Sequence, residues 1–212
     1  MHPPPEASLL GWLHLSRPRE NWHHLDDAAQ RRLRGDIARI WQETVDDGGA
    51  VFGPYVCVGY DEWTHFIYAE FPDLASLYRL EERFQCIDYM NYVDFENHPG
   101  RKYGGPIGIE RAGQQAYCVV GFGIHDDAWY SHSREERDRI EREEIGPVVA
   151  PLFAAGVTFL ALNTCDITAR PGQFFLWEAP SLAIVEAVRE DWSRFWRHHR
   201  GARMIVGRRV GP

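Results

Sequence analysis

Two histidines of this chain, His14 and His65, fall in runs that read as strands and not in loops. In residues 9–16 the alternation places Trp12, His14 and Ser16 on one face and Leu13 and Leu15 on the other. His65 shares its run, residues 63–71, with Tyr68. A neutral histidine can take a proton from an acidic carbon or a phenol, and a tyrosine hydroxyl can donate to a developing oxyanion. His14, His65 and Tyr68 are therefore the candidate catalytic residues. His65 and Tyr68 have opposite parity, so both reach one site only if a bulge intervenes. Trp12, Trp22, Tyr89, Tyr92 and His98 are the ring-bearing residues suited to bind a hydrophobic substrate beside them.

Other chemistries are excluded more easily. No Gly-rich phosphate loop, no Gly-x-Ser-x-Gly and no His-Glu-x-x-His occurs, which argues against nucleotide-binding and hydrolase classes. His23 and His24 are adjacent and do not have zinc-site spacing, so no metal site is expected. Cys57, Cys86, Cys118 and Cys165 are far apart and unpaired in pattern, as in a reduced, cytoplasmic protein. A net charge of −8 disfavours a nucleic-acid partner. No apolar run approaches membrane-spanning length, and the N-terminus lacks the pattern of a signal peptide.

What must position these residues is a repeat. Shifted by 107 positions, Trp22 falls on Trp129, Leu33 on Ile140, Gly49 on Gly156 and Phe52 on Phe159. After a one-residue insertion, Phe66 falls on Phe174, Glu70 on Glu178 and Pro72 on Pro180. Two units result, residues 1–112 and 113–212, with Gly113 at the junction.

In the first unit the pattern predicts a strand at 9–16, a polar loop at 17–25 and a helix capped by Asp26 or Asp27 and stopped at Gly48-Gly49. A hairpin follows at 50–60 and 63–71. A helix from Pro72-Asp73 then continues, or restarts, as far as His98-Pro99-Gly100, and a short strand at 107–111 closes the unit. The second unit repeats the order. Ser133 with Glu136 makes a capping box, and Pro147 and Pro151 predict a break in the helix near Gly146. Glu70 and Glu178, matched between units, are expected to share a structural task such as a contact with a helix N-terminus.

The order β-α-β-β-α-β, twice, is that of ferredoxin-like units. In tandem they resemble the dimeric α+β barrel superfamily, antibiotic-biosynthesis monooxygenase-type domains included, so the fold class implied is α+β with an intrachain barrel. The superfamily spans cofactor-independent monooxygenases of aromatic polyketides, lactone isomerases, haem-degrading oxygenases, chlorite dismutases and aldoxime dehydratases. The expectation is an enzyme without cofactor, acting on an aromatic or polyketide-like small molecule by proton transfer with oxygenation, cyclisation or isomerisation, with a homodimer as a possible assembly. The alternatives are a haem enzyme with His98, His65 or His14 as axial ligand, and a non-catalytic binding or assembly module.

Fused units can diverge, and they do so where the chemistry lies. Trp12, His14 and Ser16 correspond to Val119, Gly121 and Gly123; His65 and Tyr68 correspond to Gln173 and Leu176. The glycines leave room for close sheet packing or for a ligand beside His14.

Overall fold

The computed structural model describes residues 9–59, 62–104, 115–165, 172–195 and 199–210. The first unit comprises β1 (Leu10–Pro18), α1 (Glu20–His23), α2 (Asp27–Asp46), β2 (Ala50–Cys57), β3 (His65–Phe71), α3 (Leu74–Cys86), α4 (Tyr89–Tyr92) and β4 (Val93–Gly104). The second comprises β5 (Tyr117–His125), α5 (Asp127–Ser131), α6 (Arg134–Ile140), a π-helical turn (Glu141–Ile145), α7 (Gly146–Ala154), β6 (Thr158–Thr164), β7 (Gln173–Ala179), α8 (Leu182–Phe195) and β8 (His199–Arg209).

The helices start where side chains can satisfy their first N–H groups. Asp26 accepts from the Ala29 amide at 2.7 Å, Asp73 from Ser76 at 2.7 Å and Ser133 from Glu136 at 3.1 Å. On α2 the buried residues Leu33, Ile40 and Trp41 follow helical spacing, so one stripe of the helix lies on the sheet.

All eight strands pair antiparallel into one closed barrel, β1-β3-β2-β8-β5-β7-β6-β4. Each unit contributes four consecutive strands, and the units meet at two seams, β2 with β8 and β4 with β6. Leu13, Leu15, Phe66, Tyr68, Val120, Phe174, Leu176 and Ile205 form the shared inner core. Two outer cores lie between each half-sheet and its helices, one around Trp12, Ile40, Trp41 and Phe84, the other around Val119, Phe175, Trp177 and Val185.

The matched carboxylates do share a task, but it lies at the seams and not at a helix end. Glu70 accepts from Lys102 Nζ at 2.6 Å and from the Tyr68 hydroxyl at 3.0 Å, and Asn163 of β6 stands 3.5 Å from that hydroxyl. Glu178 accepts from the Tyr55 hydroxyl, linking β7 to β2. Gly11 makes space for the first cluster: a Cβ there would stand 1.9 Å from Asn163 Oδ1.

Three local expectations change. Residues 17–25 contain the short helix α1. The helix expected to run toward His98 breaks at Asp88, which takes a left-handed φ of 53°, restarts for the one turn of α4 and ends at Val93, where φ −135° and ψ 125° are those of a strand. From Val93 onward the chain is a strand paired with β1 along its length, Pro18 with Val93 through Leu10 with Arg101. Pro99 is tolerated within it because pairing with β6 begins only at Arg101. The strand expected at 107–111 and the junction at Gly113 lie outside the described residues.

In the second unit the proline-bearing helix is interrupted by the π-helical turn, and Pro147 occupies the first turn of α7. The Phe175 ring fills the position beside Gly121 that His14 holds in the first unit. A Cβ on Gly121 would stand 2.0 Å from Phe175 Cζ. Gly121→Ala should destabilise the protein by about 1–3 kcal/mol through overpacking. Adding Phe175→Leu should recover part of that loss, as measured by urea unfolding; strictly additive losses would show that the two residues do not compete for one space.

Candidate functional site

The corresponding space in the first unit is open. Beneath α2, against the outer face of β1, β3 and β2, lies a slot of about 820 Å³, within the ~300–1,000 Å³ range of small-molecule sites. Ile37, Trp41 and Val45 of α2 roof it, and Val51 and Ile67 form much of its apolar floor. His14, Ser16, His65 and Tyr89 supply polar atoms to its lining, and Arg17 and Arg34 line it as well. The Arg34 guanidinium lies 5.4 Å from the centroid of Trp22, another lining residue.

Strand register brings the two histidines together. His14 pairs with Ile67 and Ser16 with His65, so the histidines are diagonal neighbours on one face. Their environments differ. His14 is 3% exposed, stacked on Trp12 at 5.0 Å and parallel to Phe84 at 6.3 Å. Its Nδ1 lies 2.8 Å from Asn97 Oδ1 and its Nε2 2.9 Å from the Tyr89 hydroxyl. Since an amide oxygen only accepts, Nδ1 carries the proton and Nε2 accepts from Tyr89. Burial lowers the His14 pKa to about 4, against the opposing effect of the Asn97 hydrogen bond, so the ring is neutral and a weak base at neutral pH.

His65 is half-buried, with Nδ1 2.9 Å from Thr64 Oγ1. Its Nε2 has no hydrogen-bond partner among the described residues. Burial, then the nearby Arg34 charge, pushes its pKa down, which keeps that nitrogen's lone pair available.

Of the residues named from sequence, the slot gathers His14, His65, Trp22 and Tyr89. Trp12 packs behind His14, and Tyr92 is half-buried against the same cluster. Tyr68 and His98 are on the opposite face. Tyr68 joins the barrel core, where burial and then Glu70 raise its pKa well above the usual phenol value. The His98 ring lies 4.9 Å from Phe122, with Nε2 3.3 Å from Glu96. No bulge turns Tyr68 toward the slot: β1 and β3 pair without interruption, and the irregularity falls in β2 between Phe52 and Tyr55.

Sequence reasoning missed Ser16, Arg34 and Asn97 as functional residues. Ser16 was legible as a neighbour of His14 by parity. Asn97 was not, because its segment reads as a helix. Among the described residues no cluster of metal-ligating side chains occurs, and no helix is long and apolar enough to cross a membrane.

No protein-family profile and no curated protein matches this chain. Solved structures do. Chlorite dismutase from Candidatus Nitrospira defluvii in complex with imidazole aligns with a TM-score of 0.81 at 12% identity, over 97% of this chain and 92% of that one. The cyanide complex of a tryptophan-to-phenylalanine variant of that enzyme gives 0.76 at 14% identity, over 97% and 92%. The chain shares their fold, an α+β barrel closed from two ferredoxin-like units. These solved neighbours are chlorite dismutases, and they accord with the haem alternative better than with a cofactor-independent enzyme. That finding corrects two sequence expectations, the cofactor-independent oxygenase, cyclase or isomerase of secondary metabolism and the absence of a cofactor.

The buried histidine predicts a pH signature. The folded state holds His14 at a pKa of about 4 against 6.5 when exposed. The unfolded chain therefore binds the proton first as pH falls. Stability from this group is complete above pH 6.5 and is lost progressively down to pH 4, about 3 kcal/mol in all. His14→Gln should be less stable than the parent at pH 7 and lose less on going to pH 4.5. Equal losses in urea unfolding at the two pH values would contradict the assignment.

Proposed function

We propose that the chain is a haem-binding enzyme whose prosthetic group occupies the slot under α2. Haem requires a flat apolar space, one axial donor and cationic partners for its carboxylates. The slot supplies apolar walls on α2 and the sheet, the available Nε2 of His65 as donor, and Arg34 and Arg17 as cations. Of the three histidines considered as axial ligands, His14 has both nitrogens engaged and His98 faces the barrel core side. His65 alone fits.

The observation that carries the reading is His65 Nε2, without a partner among the described residues, lining a slot of about 820 Å³ beside a guanidinium. The likeness to chlorite dismutases, of which one structure holds imidazole and another cyanide, supports it, since both molecules are ligands of metal ions. A bound haem would supply redox chemistry at iron. The protein's own part is to exclude water with Ile37, Trp41 and Val45, to hold the carboxylates through Arg34, and to keep His65 neutral and oriented through Thr64.

Purified protein titrated with hemin should develop a sharp Soret band, and His65→Ala should abolish it or shift it to that of loosely bound hemin. Absence of a band in the parent protein, or an unchanged spectrum in His65→Ala, would refute the haem reading or the role of His65 respectively.

A further inference from the structure

At the end of β1 and the start of β4, two arginines share one carboxylate. Arg17 pairs with Asp94 in the strand register, and its Nε lies 3.3 Å from Asp94 Oδ2. Arg19 Nε donates to Asp94 Oδ1 at 2.5 Å. The Arg19 hydrogen bond, and less strongly that of Arg17, outweighs desolvation and holds the Asp94 carboxyl below its usual pKa, so it stays ionised. Because Asp94 takes the Nε edge of each guanidinium, their outer nitrogens are oriented but largely unused. Arg17 Nη1 donates to the Glu62 carbonyl at 3.3 Å; Arg17 Nη2 and both Nη of Arg19 have no partner among the described residues. Two guanidiniums against one carboxylate leave a single positive charge, on a chain whose net charge is −8.

These groups line a pocket of about 530 Å³, whose other walls are Trp63, Met90, Asn91 and Phe95. The Arg17 guanidinium lies 5.5 Å from the centroid of the Trp63 ring, so the charge stands directly beside an apolar wall. Nearby backbone acceptors are already taken: the Tyr92 carbonyl accepts from the Arg19 amide at 2.9 Å, and the Asn91 carbonyl from the Asn21 side chain at 3.2 Å. Those carbonyls do not compete for the free guanidinium N–H groups. A neighbouring depression, also lined by Arg17, Arg19 and Asp94, adds Glu20 and is poorly suited to an anion.

We infer that this pocket binds a monoanionic carboxylic acid with an aromatic body, the carboxylate held by Arg19 and Arg17 and the ring laid against Trp63, Phe95 and Met90. Asp94 is a positioning residue that fixes both guanidiniums. Three features set the class of ligand. One net positive charge matches one negative charge, and guanidinium edges match a planar carboxylate. The apolar walls favour an acid with a ring over a fully hydrated inorganic ion. The pocket shares Arg17 with the slot, but Arg19, Trp63, Met90 and Phe95 do not line the slot, and the inference does not rest on haem.

The test uses hemin-free protein at low salt and two probes of nearly equal shape, 2-naphthoate and 2-naphthamide, with binding followed by calorimetry. The arginine side chains are 46% and 49% exposed, which limits what their contacts contribute. The acid should bind about three- to tenfold more tightly than the amide, and added salt should shrink that preference. Arg19→Gln should bring the ratio toward one. Met90→Glu, at an exposed position, sets a second carboxylate against the ligand and should weaken the acid more than the amide. Neither substitution touches the slot, so a preference created there by Arg34 would survive both.

Equal binding of the two probes by the parent protein overturns the inference, as does failure of both to bind, or a ratio that survives in either variant. A hemin titration run in parallel separates the two readings. Hemin binding without acid preference leaves the haem proposal and removes this one; an acid preference lost in Arg19→Gln, without hemin binding, does the reverse.

Discussion

Closing eight strands into one barrel commits the inner face of each half-sheet to the other half. Leu13, Leu15, Phe66 and Tyr68 from one unit meet Val120, Phe174, Leu176 and Ile205 from the other in a single core. Among the described residues these side chains fill the inner face with buried apolar groups. The two seams are pinned by buried charge and hydroxyl contacts, Glu70 with Lys102 and Tyr68, and Glu178 with Tyr55. The slot under α2 lies accordingly on an outer face, between strands and helix. Residue parity on each strand, set by this closure, decides which side chains can take part in it.

The two outer faces have diverged in a way the barrel permits. In the first unit α2 runs unbroken over the sheet and leaves a slot above His14 and His65. In the second, the matching helix carries a π-helical turn at Glu141–Ile145, and the Phe175 ring takes the space beside Gly121. A π turn rotates all that follows relative to what precedes it, so the helix cannot roof the second sheet as α2 roofs the first. Neither change touches a seam, so the outer faces differ while the barrel stays shut.

Much of this was legible from residues. The repeat, the strand alternation at Leu13 and His14, and the caps at Asp26 and Ser133 specify the element order and the asymmetry between units. The face of Tyr68 was also readable, since its parity differs from that of His65. Three things were hidden. The strand from Val93 to Gly104 contains Pro99 and follows a helix-like run; only its long pairing with β1 decides it, and pairing partners distant in sequence leave no local mark. Asn97 entered the site with that strand. The state of His14 was hidden for the same reason, because Trp12, Phe84, Tyr89 and Asn97 surround it from four elements.

The haem proposal puts the prosthetic group on the outer face of the first unit and not on its counterpart. Amide hydrogen exchange with and without hemin tests that claim directly. Protection should increase in residues 34–45 of α2 and in β1 and β3, with residues 141–154 unchanged. Protection confined to residues 141–154 and β5, or spread equally over both units, would contradict it.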